Sequence, residues 1–326
     1  MSAISFILSC FFIQPLWAAT FDVPVAEGDR LLLKGLEAQV QLIGQPGAAL
    51  RVSGVENSGS AEGQYVITKS KGVIEIKMNE YSGKRAWLQV LTRSATPARI
   101  EITGPAVPTE VHLRGGSVGA QRWNKDIKVA MTQGRAQVVG GSGAVQVYLQ
   151  KGDVTVQDRV GRVQADSYQG AMTLRNIQGD VESHLFAGSL QIEKVQGFTS
   201  VSTQTAQGRV NQGVGTLQFE NGKGTLTVQG FQGRLEGQNQ EGVINVTMAL
   251  DSEVDVKSKA GRVQIQAPPA AGVTLNLLTT EGDILVPGDL KVTKLSTEKS
   301  LRAKWRGDAP RGSIFVRTQE GLISVK

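Results

Sequence analysis

Glycine falls on every ninth residue through the middle of this chain. Gly134, Gly143, Gly152, Gly161, Gly170, Gly179, Gly188 and Gly197 keep the beat, Ala206 misses it, and Gly215, Gly224, Gly233 and Gly242 resume in phase. A fixed period requires one short unit repeated and stacked. The residues between the glycines identify the unit. Two places after each beat, eleven of thirteen residues are apolar, from Ala136, Val145 and Val154 to Ile244; four places after, eleven of thirteen are apolar again, from Val138 to Val246. All thirteen residues between them are polar, from Gln137 to Asn245. Apolar, polar, apolar is the signature of a half-buried strand, because successive strand side chains point to opposite faces.

One nine-residue strand and turn cannot bury its own apolar side, so neighbours must stack until their aliphatic rows form a continuous core. The expected fold is all-β, a single elongated β-solenoid. Two repeats per coil are expected by analogy with other stacked repeats, and three, giving a triangular section, stay open. At an inter-strand spacing of ~4.8 Å the strict block spans about 30 Å. Glycine fits a corner that returns at the same place, since it alone takes positive φ there without a steric penalty. Composition agrees, with 39 glycines in 326 residues, about twice the usual ~7%.

Residues 1–19 read as a secretory signal peptide: an uncharged apolar run from Ile4 to Trp17, then Ala18-Ala19 as the cleavage region. A lipoprotein signal acylated at Cys10 is the alternative. The run is too short for a spanning helix of ~20 residues, and no later stretch could cross a bilayer as a helix. Cys10 is the only cysteine, so the mature chain is expected to lack disulfides, thiol catalysis and cysteine metal sites. Residues 20–133 read as a looser β section covering one end, 134–250 as the strict repeat, and 251–326 as further coils with an inserted basic loop near 287–311.

The run Gly152-Asp153-Val154-Thr155-Val156, its echoes at Gly179-Asp180-Val181 and Gly282-Asp283-Ile284, the early Ile100-Glu101-Ile102-Thr103-Gly104-Pro105, and the closing Ile314-Phe315-Val316 through Leu322-Ile323-Ser324-Val325 resemble the bacterial "putative adhesin" family of β-solenoids. The resemblance implies a secreted or envelope-associated, non-enzymatic module, and it transfers no active-site residues.

Other solenoid chemistries fit less well. Calcium-binding nonapeptides need paired glycines and an Asp in each repeat, whereas Asp153, Asp166 and Asp180 share no ligand position. An ice-binding face needs matched threonines, and this polar row mixes Gln, Thr, Glu, Ser and Arg. A carbohydrate-cleaving β-helix needs paired carboxylates in a walled groove. Asp251, Glu253 and Asp255 alternate as one strand face would, but read as a solvated face beside Lys257 and Lys259. His112 and His184 have no nucleophile or ligand pattern around them and read as ordinary surface residues.

Charge supplies one local hint. Eight cations between Lys291 and Arg317, set against Glu298 and Asp308, equal the whole formal charge of +6. Arg302, Lys304, Trp305 and Arg306 lie at its centre and are the candidate binding residues, joining charge attraction to stacking on an anionic envelope glycan or lipid. Another surface protein is the alternative partner. Nucleic acid is not expected for an exported chain, and Arg306-Gly307-Asp308 reads as a chance tripeptide. No cofactor or metal is expected. The overall expectation is an exported, non-enzymatic envelope or surface module, in the periplasm, outer envelope or at the cell surface. A carbohydrate-active β-helix enzyme and an end-to-end polymer are the alternatives, the polymer favoured if the coil around Leu322 is uncovered.

Overall fold

A computed structural model of the chain describes residues 20–57, 65–78, 97–269, 272–306 and 310–326. The leader and Cys10 lie outside them. Every regular element among the described residues is a strand. The N-terminal part holds β1 (Thr20–Pro24), β2 (Arg30–Gly44), β3 (Ala49–Ser53), β4 (Glu56–Asn57), β5 (Tyr65–Ser70), β6 (Val73–Met78) and β7 (Ala98–Gly104). The middle holds β8 (Thr109–Gln121), β9 (Ile127–Val139), β10 (Val145–Val160), β11 (Val163–Gln178), β12 (Val181–Thr203), β13 (Gln207–Asn211), β14 (Val214–Asn221), β15 (Thr225–Asn239) and β16 (Val243–Met248). The C-terminal part holds β17 (Glu253–Ser258), β18 (Arg262–Gln266), β19 (Val273–Thr279), β20 (Asp283–Leu285), β21 (Thr293–Leu295), β22 (Glu298–Trp305), β23 (Ser313–Thr318) and β24 (Leu322–Val325).

The register fixes the coil. Val145 pairs with Val163, Val154 with Met172 and Leu190 with Gly208, all parallel and eighteen residues apart, so one coil is two glycine repeats. The alternating triplets sit as expected, with Val145, Val147, Val154 and Val156 at 1% exposure or less and Gln146 and Thr155 turned outward. Corners differ from expectation. Strand pairing continues through the Gly152 corner, so β10 and β11 each wrap nearly a full coil instead of ending at every glycine. Glycine bends the ladder there without breaking it. Gly170 has φ +147°, and a Cβ on it would lie 1.8 Å from the Gly152 carbonyl oxygen one coil away. Conformation and close approach therefore both demand glycine.

The missed beat has the same cause in reverse. From Thr203 onward this corner becomes a tight turn in which neither Ala206, Gly224 nor Gly242 has positive φ. The inward column beside it changes with it. Leu113, Met131, Leu149, Ser167 and Leu185 give way to Thr203, Asn221, Asn239 and Ser258, which bond one to the next: Thr203 Oγ1 to Asn221 Oδ1 (2.9 Å), Asn221 Nδ2 to Asn239 Oδ1 (2.8 Å) and Asn239 Nδ2 to Ser258 Oγ (2.9 Å). Thr318 and Thr279 extend the column, joined at 2.8 Å. Buried polar groups are tolerated because each has a partner, and the ladder also binds turn carbonyls at Gly224, Gly242 and Gly321.

The opposite corner contains a column of left-handed residues, Arg122, Gly140, Asp158, Asn176, Lys194, Gln212 and Gly230, again eighteen apart. The next residue in each coil points inward. Arg159 is one of these, fully buried, and its guanidinium donates to the carbonyls of Trp123 (2.5 Å), Lys125 (2.8 Å), Gly140 (3.0 Å), Ser142 (2.5 Å) and Gly143 (3.0 Å). Burial pushes it down to about 10. After Gly230 the coil lengthens by one residue: Leu226 pairs with Ile244, whereas Leu235 pairs with Val254 and Ile244 with Val263.

Both ends are built against chain order. At the C-terminus β23 lies between β17 and β19, and β24 lies between β18 and β20. The chain builds an outer coil at β19–β20 and then returns to fill the gap it left. The coil around Leu322 is therefore covered on both sides. The proposed basic loop is also corrected: most of it is the hairpin β21–β22, with β22 antiparallel on β19 as the cap. At the N-terminus β2 lies between β8 and the pair β6 and β7, while β5, β3 and β1 run antiparallel outside them. Antiparallel, short or charged outermost strands are poor templates for another copy. The parallel stack makes thirteen rungs per side among the described residues, about 58 Å at the usual strand spacing.

Candidate functional site

A concavity runs parallel to the axis along the corner where the inward column is still mostly apolar. It encloses about 1020 Å³. Successive coils each contribute three consecutive residues: His112-Leu113-Arg114, Ala130-Met131-Thr132, Tyr148-Leu149-Gln150, Asp166-Ser167-Tyr168 and His184-Leu185-Phe186. The middle residue of each triplet forms the floor and its neighbours form the walls. Ala130 and Thr132 are small where the flanking coils carry His112, Arg114, Tyr148 and Gln150. Side-chain volume is therefore missing from both walls at that coil.

The walls are chemically graded. Arg114 is exposed at the N-terminal end, and Lys34, paired in register with His112 on the other wall, is 3.9 Å from Glu75. Tyr168 and Phe186, 61% and 43% exposed, stack with centroids 4.6 Å apart at 11°. That distance is nearly the coil rise, so the rings pile along the axis. In the same coil as Tyr168 are two buried polar atoms without partners, Asp166 Oδ1 and Ser167 Oγ, Ser167 being 8% exposed. His184 Nε2 stands 4.0 Å from Asp166 Oδ1, beyond hydrogen-bond reach. Burial raises the Asp166 carboxyl above its ordinary value, opposed by His184 and by the Gln164 amide.

Neighbouring carboxylates are committed elsewhere. Glu182 is held below its usual range by Arg162 at 2.8 Å and His184 at 3.2 Å, and Glu110 by Lys128 at 2.9 Å and His112 at 2.8 Å. His112 and His184 are thus partly exposed on the groove wall, each with Nε2 against a neighbouring carboxylate, Glu110 and Glu182. Asp251, expected beside Glu253 and Asp255, lies outside β17 and pairs with Arg311 at 2.6 Å. Among the described residues no group of three His, Cys, Asp or Glu side chains could hold a metal ion, and no helix is long and apolar enough to cross a membrane.

The candidate residues of the basic segment are divided by the structure. Arg302 and Lys304 project outward from β22, opposite Asn276 and Thr274. Trp305 is 5% exposed and belongs to the core, so it offers no stacking face to a ligand. Alternation explains it: in a strand, Trp305 faces inward with Leu301. Arg306 lies over the Trp305 ring at 3.8 Å and donates to the Pro268 carbonyl at 2.8 Å. Gly307 and Asp308 lie outside the described residues. The groove was missed in the sequence, although Tyr168 and Phe186 are eighteen residues apart, which places them side by side once the coil length is known.

No curated protein matches the chain. Solved structures that match it include a "putative cell adhesion protein" from Clostridium sporogenes (12% identity, TM-score 0.19, covering 95% of this chain and 99% of that one), a "putative lipid binding protein" from Parabacteroides distasonis (11%, 0.29, 96% and 98%), and a "putative adhesin" from Bacteroides fragilis (11%, 0.26, 94% and 96%). The family model described as Toastrack DUF4097 matches residues 37–326, nearly the whole solenoid. Carrying that match over its paired nine-residue coils, the chain belongs to the Toastrack DUF4097 family.

Proposed function

We propose that this protein is an exported, non-enzymatic module of the bacterial envelope or surface that holds an elongated partner in the axial groove. The observation that carries the reading is the pair of buried, unpartnered polar atoms, Asp166 Oδ1 and Ser167 Oγ, in a groove about 1020 Å³ in size. Buried polar groups without partners are uncommon, and each calls for a water, an ion or a ligand to complete its bonding. Export is supported by the leader-like residues 1–19. The non-enzymatic reading is supported by carboxylate count: Asp166 is the one carboxylate lining the groove among the described residues, whereas glycosidic cleavage uses two.

The test compares wild type with Ala130→Trp, which fills the groove at the coil where side-chain volume is missing, from the outer face of β9. Retention on isolated envelope material should fall for the variant while thermal unfolding stays unchanged. Equal retention of both proteins would exclude the groove as the contact surface. Amino-terminal sequencing of the protein recovered outside the cytoplasm should begin just after Ala18 or Ala19.

A further inference from the structure

We propose that the partner is an acidic oligosaccharide laid along the solenoid axis, with a sugar carboxylate against Arg114 and Lys34 and ring hydroxyls bonded to Asp166 and Ser167. The inference rests on the groove being the contact surface and names the chemistry it accepts.

Four ligand classes meet different difficulties there. An acyl chain lying over Met131 and Leu149 would offer no hydrogen bond to the Asp166 carboxyl oxygen or the Ser167 hydroxyl and would leave both unsatisfied. An extended peptide gains affinity from a free strand edge, but the groove crosses strands whose edges are paired in every coil from β8 to β11. A nucleic acid strand would bring phosphates toward Asp166. A sugar chain meets both ends. Its hydroxyls can donate to the orphaned carboxyl oxygen and exchange bonds with the serine, and its C–H faces can rest on Met131 and Leu149.

The charge gradient makes the sugar acidic. Arg114 is exposed and forms no ion pair among the described residues, and Lys34 keeps only a distant contact with Glu75. Arg114 and Asp166 are three coils apart, about 14 Å at the usual strand spacing, so one short oligosaccharide reaches both. A carboxylate at the arginine end gains a planar bidentate partner. At the other end a carboxylate would face Asp166, so the polarity also orients the chain.

The experiment is calorimetric titration of the mature protein at low salt with a galactose tetramer bearing a single terminal galacturonate, an all-galactose tetramer of the same length and dodecanoate. The acidic tetramer should bind, and the neutral tetramer about tenfold more weakly, the effect expected for one charge-assisted bond. Arg114→Gln should weaken the acidic tetramer by about tenfold and remove most of its salt dependence. Asp166→Asn should weaken both sugars, and Arg302→Gln, remote from the groove, should change nothing. Equal binding of the two sugars, or no binding of either, would overturn the acidic-glycan proposal. Preferential binding of dodecanoate would overturn it too. If Ala130→Trp still lowers envelope retention in those cases, the groove reading survives; if Arg302→Gln lowers retention instead, both readings fail.

Discussion

Replacing Arg159 by methionine should destabilise the solenoid severely, and the structure supplies the magnitude. The guanidinium donates to five backbone carbonyls, those of Trp123, Lys125, Gly140, Ser142 and Gly143. It faces no carboxylate at hydrogen-bond distance, so it acts as a cationic plug tying the irregular turn at 140–143 to the coil before it. Each charge-assisted bond is worth ~1.5 to 3 kcal/mol, which summed without correction would exceed the stability of an ordinary domain. Two effects reduce the sum. Removing the cation recovers its desolvation cost, several kcal/mol, and water can reach Ser142, which is exposed. Lys125 is exposed as well, whereas the bond to the Trp123 carbonyl is buried and that carbonyl keeps most of its penalty. The net loss is therefore about 3 to 5 kcal/mol, the usual cost of removing one side of a buried polar arrangement. Arg159→Lys, with fewer donors and no planar fork, should fall between methionine and wild type. Urea unfolding gives the global cost, and amide exchange should show the loss centred on Val145, whose N–H bonds to Arg162, and on Gly140 and Gly143. A cost below about 1 kcal/mol for Arg159→Met would refute the reasoning, since buried carbonyls cannot be left open so cheaply.

Gly170→Val should cost at least about 3 kcal/mol, combining backbone strain with an unavoidable clash on Gly152, while Ala206→Gly in the tight-turn half should cost only about 1 kcal/mol; paired urea curves compare them. Asn239→Leu should lose about 2 to 4 kcal/mol, because Asn221 and Ser258 are both left with broken bonds in the core. Asp29 accepts from the Ala26 N–H at 2.8 Å and from Lys69 at 2.6 Å, which hold its carboxyl below the ordinary value. Its stabilising contribution is thus present above the unfolded carboxylate range and lost as pH falls through it. Thermal unfolding across that range should show a shallower acid limb in Asp29→Asn than in wild type.

Much of this architecture was legible because inward and outward positions repeat with the glycine beat. Val145, Val154 and Ile244 are core where the alternation put them, whereas the coil of two repeats was expected only by analogy, with three left open, and is fixed by the eighteen-residue register. What escaped was long-range order. Val254 pairs with Ile314 across sixty residues and Leu31 with Thr109 across seventy-eight; alternation marks such strands without saying which neighbour each takes. Local pattern also misjudged Trp305. It stands amid cations, yet strand alternation with Leu301 turns it inward. The groove was hidden for a different reason. It arises from small residues, Ala130 and Thr132, between larger ones a coil away, and a spacing of eighteen becomes meaningful only once two repeats are known to make a turn. The missed beat at Ala206 marks the change from a left-handed glycine corner to the Asn and Thr ladder, a distinction that lies in φ and not in composition.

The central claim is that two repeats make one coil, so outward residues eighteen apart line up along the axis. Thr155 pairs through Thr173, Gln191 and Arg209 to Thr227, and onward through Asn245 to Gln264. Spin labels on Thr155 and Thr227 should sit about 19 Å apart, and on Thr155 and Gln264 about 29 Å apart, at four and six coil rises. Pulsed electron–electron distances should therefore lengthen by about 10 Å between the two pairs, each with a single narrow distribution. Distances that failed to lengthen with coil number, or that placed Thr227 on a different side of the rod from Thr155, would contradict it.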